Sequence, residues 1–209
     1  DVCCELALQP INAFKLDAAI LFSDILTIPD SFGLGVEFVE KEGPVFNNPI
    51  NSSTDISNLD HFDPESLDYV YKAVKNIKNS LSEEIPLIGF CGSPWTLAAY
   101  SIEGRSSKDF KKTLSFLLSN QEDVHNLLTK YTDACFLYLR RQVQSGADVI
   151  QIFDSWANLL TKEGLIEYSF NYINALISAL KLDPVTKNIP VIVFALSLIH
   201  ISEPTRRYE

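Results

Sequence analysis

Short apolar runs alternate along the chain with longer segments in which apolar residues recur at helical spacing. The apolar runs cover residues 17–22, 86–91, 147–153 and 190–195. Runs of this length that are bounded by turn residues are typical of buried strands. Because continuous apolar strands separated by helical crossovers form parallel sheets with helices on their faces, the pattern predicts the α/β class.

Helical periodicity is clearest after Asp63 and Pro64, which predict a helix start with the aspartate as cap and the proline in the first helical position. Further helices are predicted near 95–100, 108–118, 121–144 and 163–181. Gly146 is expected to end the longest of them. Period-two alternation over 33–46 predicts a half-exposed hairpin outside the main sheet, and the polar stretch 47–58 predicts a loop.

Two sheet architectures fit this alternation, an open Rossmann-type sheet and a TIM (β/α)8 barrel. A Rossmann sheet needs a glycine-rich turn after its first strand to hold a phosphate group, and Phe22-Ser23-Asp24-Ile25 contains no glycine. Polar residues at the C-terminal ends of strands are typical of barrel active sites. The pattern therefore favours the barrel, although periodicity alone does not exclude the open sheet.

Composition indicates a soluble globular protein, since 46% of the 209 residues are hydrophobic and 21% are charged. No apolar run approaches the roughly 18 residues of a membrane span, and no signal-peptide pattern is present. Four cysteines without metal-ligand spacing suit a reducing cytoplasm. The net charge of −10 disfavours nucleic acid and anionic membranes as partners. A sequence that begins at Asp1 and has no methionine is expected to be a fragment.

In a barrel, the polar residues that follow three of the strands would lie at the catalytic face: Ser23-Asp24, Cys91 to Pro94 and Asp154-Ser155. Asp24 follows six mostly apolar residues, so its carboxylate would lie at the edge of an apolar interior and could stabilise a positive charge. A cap or turn role for Asp24 is the alternative. Tyr100 is a candidate hydroxyl donor, although an aromatic residue on an amphipathic helix also suits the core.

Other catalytic chemistries find little support in the residues. Ser155 has no histidine close in sequence, and His61, His125 and His200 lie in a loop, on a polar helix face and in the C-terminal tail. No His, Cys, Asp and Glu residues show zinc-ligand spacing in the sequence. A serine hydrolase and a metalloenzyme are therefore both disfavoured.

Three segments carry a family resemblance. Residues 17–26, DAAILFSDIL, look like a first barrel strand with its aspartate, and residues 4–10, CELALQP, look like the helix before it. Residues 89–104, GFCGSPWTLAAYSIEG, are similar to a family signature across its full width, and residues 151–157, QIFDSWA, resemble a third block. In this order they resemble the uroporphyrinogen decarboxylase family of haem and chlorophyll biosynthesis, from about residue 2 to residue 195.

The resemblance implies a (β/α)8 barrel, of which the chain holds about the first half. It also implies a carboxy-lyase that decarboxylates the four acetate side chains of uroporphyrinogen to give coproporphyrinogen. The family uses no metal or organic cofactor and works as a homodimer. The implied location is the cytoplasm, or the plastid in a photosynthetic eukaryote.

The resemblance also assigns roles to five residues. Asp24 would accept the pyrrole N–H groups of the substrate and stabilise the cationic ring as the catalytic residue. Tyr100 and Ser155 would hydrogen-bond substrate carboxylates. Ile20 and Phe22 would line the apolar floor under the macrocycle, although core packing explains these two residues equally well.

The chain departs from the family pattern at several places. The family's N-terminal arginine-rich motif would lie before Asp1, and a family histidine near the C-terminus would lie after Glu209. Asn158 stands where the family usually has glycine. Because a TIM barrel needs about 250 residues and eight strands, and the sequence predicts four strands, we expect this fragment to have no turnover of its own.

The C-terminal end is the largest departure, because residues from about 197 to 209 resemble translated sequencing adapter. The expected organisation is a partial barrel domain over 1–196 and a non-native tail over 197–209. His200, Arg206 and Arg207 fall in that tail and are assigned no function.

Two other functions remain open from the sequence. One is a corrinoid- or thiol-dependent methyltransferase of the same superfamily, which would need zinc ligands that the candidate segments lack. The other is a non-catalytic protein that keeps a porphyrinogen-binding cleft, and only an activity measurement separates it from the decarboxylase.

Overall fold

Four parallel strands form the central sheet in this computed structural model, which describes residues 2–196. Within these residues the strands are β1 (Ala19–Ile20), β2 (Val36–Val39), β3 (Gly43–Phe46), β4 (Leu87–Gly92), β5 (Val149–Asp154) and β6 (Val191–Ala195). The sheet has the order β1-β4-β5-β6, and every neighbouring pair is parallel. The predicted α/β class is confirmed. The expected tail, with His200, Arg206 and Arg207, lies outside the described residues.

Helical segments connect the strands. The α-helices are α1 (Val2–Ala13), α2 (Thr27–Pro29), α3 (Ser53–Ser57), α4 (Asp68–Ser80), α5 (Pro94–Glu103), α6 (Lys111–Ser119), α7 (Gln121–Gln144), α8 (Lys162–Gly164) and α9 (Asn171–Leu182). A π-helical run, Leu165–Phe170, joins α8 to α9. Of the helices within residues 2–196, none combines the length and the apolar character that a membrane crossing requires.

The hairpin is confirmed, since β2 and β3 pair antiparallel outside the central sheet. The loop predicted over 47–58 is wrong in part, because it contains α3. Ser52 caps this helix: the Asp55 N–H donates to Ser52 Oγ, and the Ser52 N–H donates to Asp55 Oδ2 at 2.9 Å. A serine followed three residues later by an acidic residue is a helix-start signal that the polar composition of the segment obscured.

The first strand is shorter than the apolar run 17–22 that predicted it. Only Ala19 and Ile20 pair with β4, and the last backbone bond runs from the Leu21 N–H to the Ile88 carbonyl at 2.9 Å. Beyond this point the chain bends, because the Leu26 N–H donates to Asp24 Oδ1 at 2.7 Å and closes a turn. The turn ends the strand and brings Asp24 to its C-terminal edge.

The two faces of the central sheet differ in their cover. Leu87 and Ile150 point to the face on which the helices pack, and both are fully buried. Ile20 and Phe22 point to the other face. The described helices do not cover this face, and the two residues are 43% and 54% exposed. Helices on both faces were the expectation for a parallel sheet, and among the described residues they cover one. A barrel presents such a face to its interior.

Candidate active site

The carboxyl ends of β1, β4 and β5 lie side by side, because these strands are parallel and neighbours in the sheet. Asp24 follows β1, Ser93 follows β4, and Ser155 follows β5. The segments that sequence analysis placed at one catalytic face therefore do share one edge of the sheet. What each side chain does at that edge depends on its own contacts.

The Asp24 carboxylate is half-buried and uses its two oxygens differently. Oδ1 accepts the Leu26 N–H at 2.7 Å, and the backbone carbonyl of Asp24 accepts the Thr27 hydroxyl at 3.2 Å. Oδ2 has no hydrogen-bond partner among residues 2–196 that the structure shows. The turn role that was the alternative for Asp24 is therefore observed, and among residues 2–196 it engages Oδ1 of the carboxylate.

A cleft of about 280 Å³ opens beside Asp24. Its walls come from the end of β1, from α4 and from the hairpin, and they are mostly apolar. Asp30 and Tyr69 add polar groups to this lining, and the Val36 N–H donates to Asp30 Oδ1 at 2.8 Å, which anchors the start of the hairpin. Burial raises the pKa of Tyr69, and the nearby carboxylates of Asp30 and Asp24 raise it further.

Sequence reasoning missed both Asp30 and Tyr69. Nothing in the local pattern marks Asp30, which follows Pro29 and begins a short π-helical run, Asp30–Leu34. Tyr69 is next to the buried Val70 in α4. Its position outside the apolar stripe of that helix was the one sequence signal that could have marked it as a site residue.

Tyr100 lies on α5 with its ring partly buried. The ring packs edge-on against Phe110 and against Trp156, with 5.7 Å between ring centroids in both pairs. Burial is the main cause that raises the pKa of Tyr100, the indole of Trp156 lowers it, and the Asp24 carboxylate raises it. The phenol therefore keeps its proton at neutral pH and can donate a hydrogen bond.

Ser155 lies in the turn after β5, half-buried, and its hydroxyl makes no hydrogen bond that the structure shows within the described residues. Its neighbour Trp156 is the residue that packs against Tyr100. The structure thus brings Ser155 and Tyr100 to the same corner of the sheet edge. Asn158, which departs from the family pattern, is exposed to solvent in the same loop.

Asp154, the residue before Ser155, is fully buried. Its Oδ1 accepts the hydroxyls of Ser93 at 2.7 Å and of Thr96 at 3.1 Å, and its Oδ2 accepts the hydroxyl of Ser169. Burial raises the pKa of Asp154, and the three hydroxyl donors limit that rise. Sequence analysis included Asp154 only as part of a polar strand end, because its partners are distant in sequence.

The open face of the sheet carries a row of aromatic rings beside Ile20 and Phe22. Phe90 and Phe153 meet edge to face with 5.5 Å between centroids, and Phe153 and Phe194 do so at 5.9 Å. Sequence reasoning named Ile20 and Phe22 but missed these three rings. Register was the missing information, since it decides which strand residues share a face.

The two histidines within the described residues do not contact Ser155. His61 is exposed in a loop, and His125 Nδ1 lies 2.7 Å from the Tyr172 hydroxyl on the helical side of the fold. In residues 2–196 no three His, Cys, Asp or Glu side chains are grouped as a metal ion would require.

Comparison with known proteins supplies the family. The model of the family described as uroporphyrinogen decarboxylase (URO-D) matches residues 1–204. The uroporphyrinogen decarboxylase of Acinetobacter baumannii is 47% identical over 192 residues, which are 91% of this chain and 54% of that protein. The enzyme of Serratia proteamaculans is 46% identical over 195 residues, 93% of this chain and 55% of that protein. The chain therefore spans about half the length of the curated relatives it matches.

A solved structure supports the fold independently. A methyltransferase from Methanosarcina mazei superposes with a TM-score of 0.74 at 18% sequence identity, over 92% of this chain and 55% of its own. At that identity the likeness concerns the fold alone.

Proposed function

The chain belongs to the uroporphyrinogen decarboxylase family, and on this premise we propose that the protein containing it converts uroporphyrinogen to coproporphyrinogen. The observation that carries the proposal is the Asp24 carboxylate. Oδ1 is held by the Leu26 N–H, while Oδ2 is left without a hydrogen bond from the described residues, beside the apolar side chain of Phe22. An anion that is fixed in this way is preorganised for a positive charge that develops on a bound ring.

In the proposed reaction each acetate side chain loses carbon dioxide and becomes a methyl group. A proton first adds to a ring carbon of the pyrrole, and the ring becomes a cation. The electrons of the breaking carbon–carboxylate bond then flow into that cation, a second proton adds at the side-chain carbon, and loss of the first proton restores the pyrrole. Asp24 accepts the pyrrole N–H groups and stabilises the cation, and no metal or organic cofactor enters the cycle.

Tyr100 and Ser155 are the proposed donors to substrate carboxylates. The raised pKa of Tyr100 keeps its hydroxyl protonated, and the Ser155 hydroxyl is not engaged by any side chain of residues 2–196. Ile20 and Phe22 are the proposed apolar floor. Phe22 lines the cleft beside Asp24, which supports this role.

The remaining aspects of the proposal rest on the family resemblance. We propose that residues 1–196 form part of one barrel domain and that 197–209 are a non-native tail. The complete protein would act as a homodimer in the cytoplasm, or in a plastid if the source is a photosynthetic eukaryote. The net charge of −10 carried by these 209 residues argues against nucleic acid as a partner. The methyltransferase alternative is not favoured, because the curated relatives at 46–47% identity are decarboxylases.

The test uses the complete gene product that contains these residues. Carbon dioxide release and porphyrin products are measured with uroporphyrinogen for the unaltered protein, for Asp24→Asn, and for Asp17→Asn as a matched control on an exposed aspartate before β1. We expect turnover by the unaltered protein and by the Asp17 variant, and a fall of about 10²-fold or more in kcat for Asp24→Asn. Binding without turnover by the unaltered protein would instead establish a non-catalytic porphyrinogen-binding protein.

A further inference from the structure

Asp154 is a buried carboxylate with no cationic partner within the described residues. Its hydrogen bonds come from three hydroxyls, those of Ser93, Thr96 and Ser169. A buried charge is costly unless it is well paired, and apolar residues of similar volume commonly stabilise a protein as well or better. A stability role alone therefore explains this residue poorly.

The partners of Asp154 hold the two loops that carry the proposed substrate donors. Ser93 caps α5, because its Oγ also accepts the Thr96 N–H at 3.0 Å. The Thr96 hydroxyl, which donates to Asp154, accepts the Trp156 N–H at 3.3 Å. The start of α5 and the turn at 154–156 are thus joined through one carboxylate.

Two more contacts close the same connection. The Ser93 N–H donates to the Phe153 carbonyl at 2.8 Å, and the Trp95 indole N–H donates to the Trp156 carbonyl at 2.9 Å. Tyr100 lies seven residues after the Ser93 cap on the same helix, and Ser155 lies between Asp154 and Trp156. The position of α5 relative to the turn therefore sets the separation of Tyr100 and Ser155.

We propose that Asp154 is a positioning residue that holds Tyr100 and Ser155 at the spacing required by two carboxylates of one substrate molecule. The inference rests on the proposed function in one respect, since it takes Tyr100 and Ser155 as carboxylate donors. The ionised form of Asp154 is the one that acts, because only a carboxylate accepts from all three hydroxyls without donating. Asp154 itself does not touch the substrate.

The test compares three variants of the complete gene product. Asp154→Asn keeps the volume of the side chain but replaces one acceptor oxygen with a donor. Ser169→Ala removes one hydroxyl of the set with a smaller perturbation. Asp148→Asn is the matched control at the opposite end of β5, where Asp148 accepts from Lys78 Nζ and from the Leu87 N–H, both at 2.7 Å.

We expect Asp154→Asn to raise KM for uroporphyrinogen by about tenfold and to leave kcat within about threefold of the unaltered protein. The variant loses interactions that bind the substrate and the transition state equally, and such a loss raises KM without lowering kcat. Ser169→Ala should raise KM in the same direction by less. Asp148→Asn should lower Tm while KM stays within about twofold of the unaltered protein. An Asp154→Asn variant that lowers Tm but leaves KM unchanged would overturn the inference and make Asp154 a structural residue only.

A second readout does not depend on turnover. The chain has two tryptophans, Trp95 and Trp156, and both lie in the connection that Asp154 closes. In near-ultraviolet circular dichroism of the complete gene product, the difference spectrum between Asp154→Asn and the unaltered protein should show a change in the tryptophan bands, and the difference spectrum for Asp148→Asn should show none. If the unaltered protein shows no turnover, the proposed function fails, and unchanged tryptophan bands in Asp154→Asn would separately overturn the positioning role.

Discussion

Gln142 makes two hydrogen bonds with the backbone of a single strand residue, Phe90. The Phe90 N–H donates to Gln142 Oε1, and Gln142 Nε2 donates to the Phe90 carbonyl, both at 2.9 Å. On the same edge of β4, the carbonyls of Pro86 and Ile88 pair with β1. At Phe90, two residues further along β4, β1 has ended and its chain has turned away toward Asp24. The glutamine of α7 thus replaces the neighbouring strand where that strand ends.

Replacing Gln142 with leucine should therefore destabilise the fold. The buried N–H and carbonyl of Phe90 would lose their partners, at a cost of about 1–3 kcal/mol for each group left unsatisfied. The free energy of unfolding from urea titrations measures the loss. Gln144→Leu, on an exposed position of the same helix, is the control and should change stability by less than about 0.5 kcal/mol. Equal losses in the two variants would contradict the role of Gln142.

Gly89→Ala should be destabilising for a related reason. A Cβ at this position would overlap Gln142 Oε1 and lie 3.1 Å from the Ala147 Cβ. The expected loss is about 1–3 kcal/mol, because the clash displaces Gln142 from the Phe90 backbone. A double-mutant cycle measures the coupling: the same glycine substitution should cost less in a Gln142→Ala background. Strictly additive losses would show that Gly89 matters for another reason.

Asp183 should make stability depend on pH in the acid range. Partial burial works against ionisation, but the Arg140 guanidinium at 3.0 Å and the backbone N–H groups of Val185 and Thr186 outweigh it, so the pKa of Asp183 lies below its ordinary 3.8. A lowered folded-state pKa contributes stability that is present above the unfolded-state pKa and is lost as pH falls through the folded-state pKa.

Asp183→Asn should accordingly cost about 1 kcal/mol at pH 7 and progressively less below about pH 4. Urea unfolding at pH 7, 4.5 and 3 follows the difference between the variant and the unaltered chain. Asp133→Asn, at an exposed position of α7, is the control and should give a small difference at every pH. A difference for Asp183 that stays constant down to pH 3 would refute the proposed pairing.

Tyr100→Phe should weaken substrate binding if its hydroxyl donates to a substrate carboxylate. A hydrogen bond to a charged group contributes about 1.5–3 kcal/mol, so KM should rise about tenfold or more while kcat changes little. The measurement is steady-state decarboxylation of uroporphyrinogen by the complete gene product. Tyr172→Phe removes a hydroxyl that binds His125 away from the sheet edge, and it should leave KM unchanged. An unaltered KM in Tyr100→Phe would remove Tyr100 from the site.

Local pattern was sufficient for most of the fold. The strands β4, β5 and β6 follow from apolar runs of six or seven residues, and the hairpin of β2 and β3 follows from the alternation over residues 33–46. The structure has all of them close to the expected places. The errors occur where one side chain overrides the pattern. Asp24 shortens β1 by binding the Leu26 N–H, and the capping pair Ser52 and Asp55 starts a helix in a polar loop.

The residues of the candidate site also fall into two groups, those that a local pattern reveals and those that only contacts between distant positions reveal. Asp24, Tyr100 and Ser155 could be named as candidates from the sequence because each lies in a contiguous segment that resembles a family block. The supporting residues were not found, because their roles consist of contacts between distant positions. Asp154 meets Ser93 across 61 positions, and Gln142 meets Phe90 across 52.

The sequence by itself therefore determined the α/β class, the order of strands and helices, and the residues to consider at the strand ends, since short-range periodicity and contiguous motifs carry that information. Only the tertiary structure decided which oxygen of Asp24 accepts the Leu26 N–H, which aromatic rings share the open face, and what Asp154 connects. The physical reason is that hydrogen-bond saturation and burial depend on partners from other elements, whose approach is set by the packing of the whole sheet.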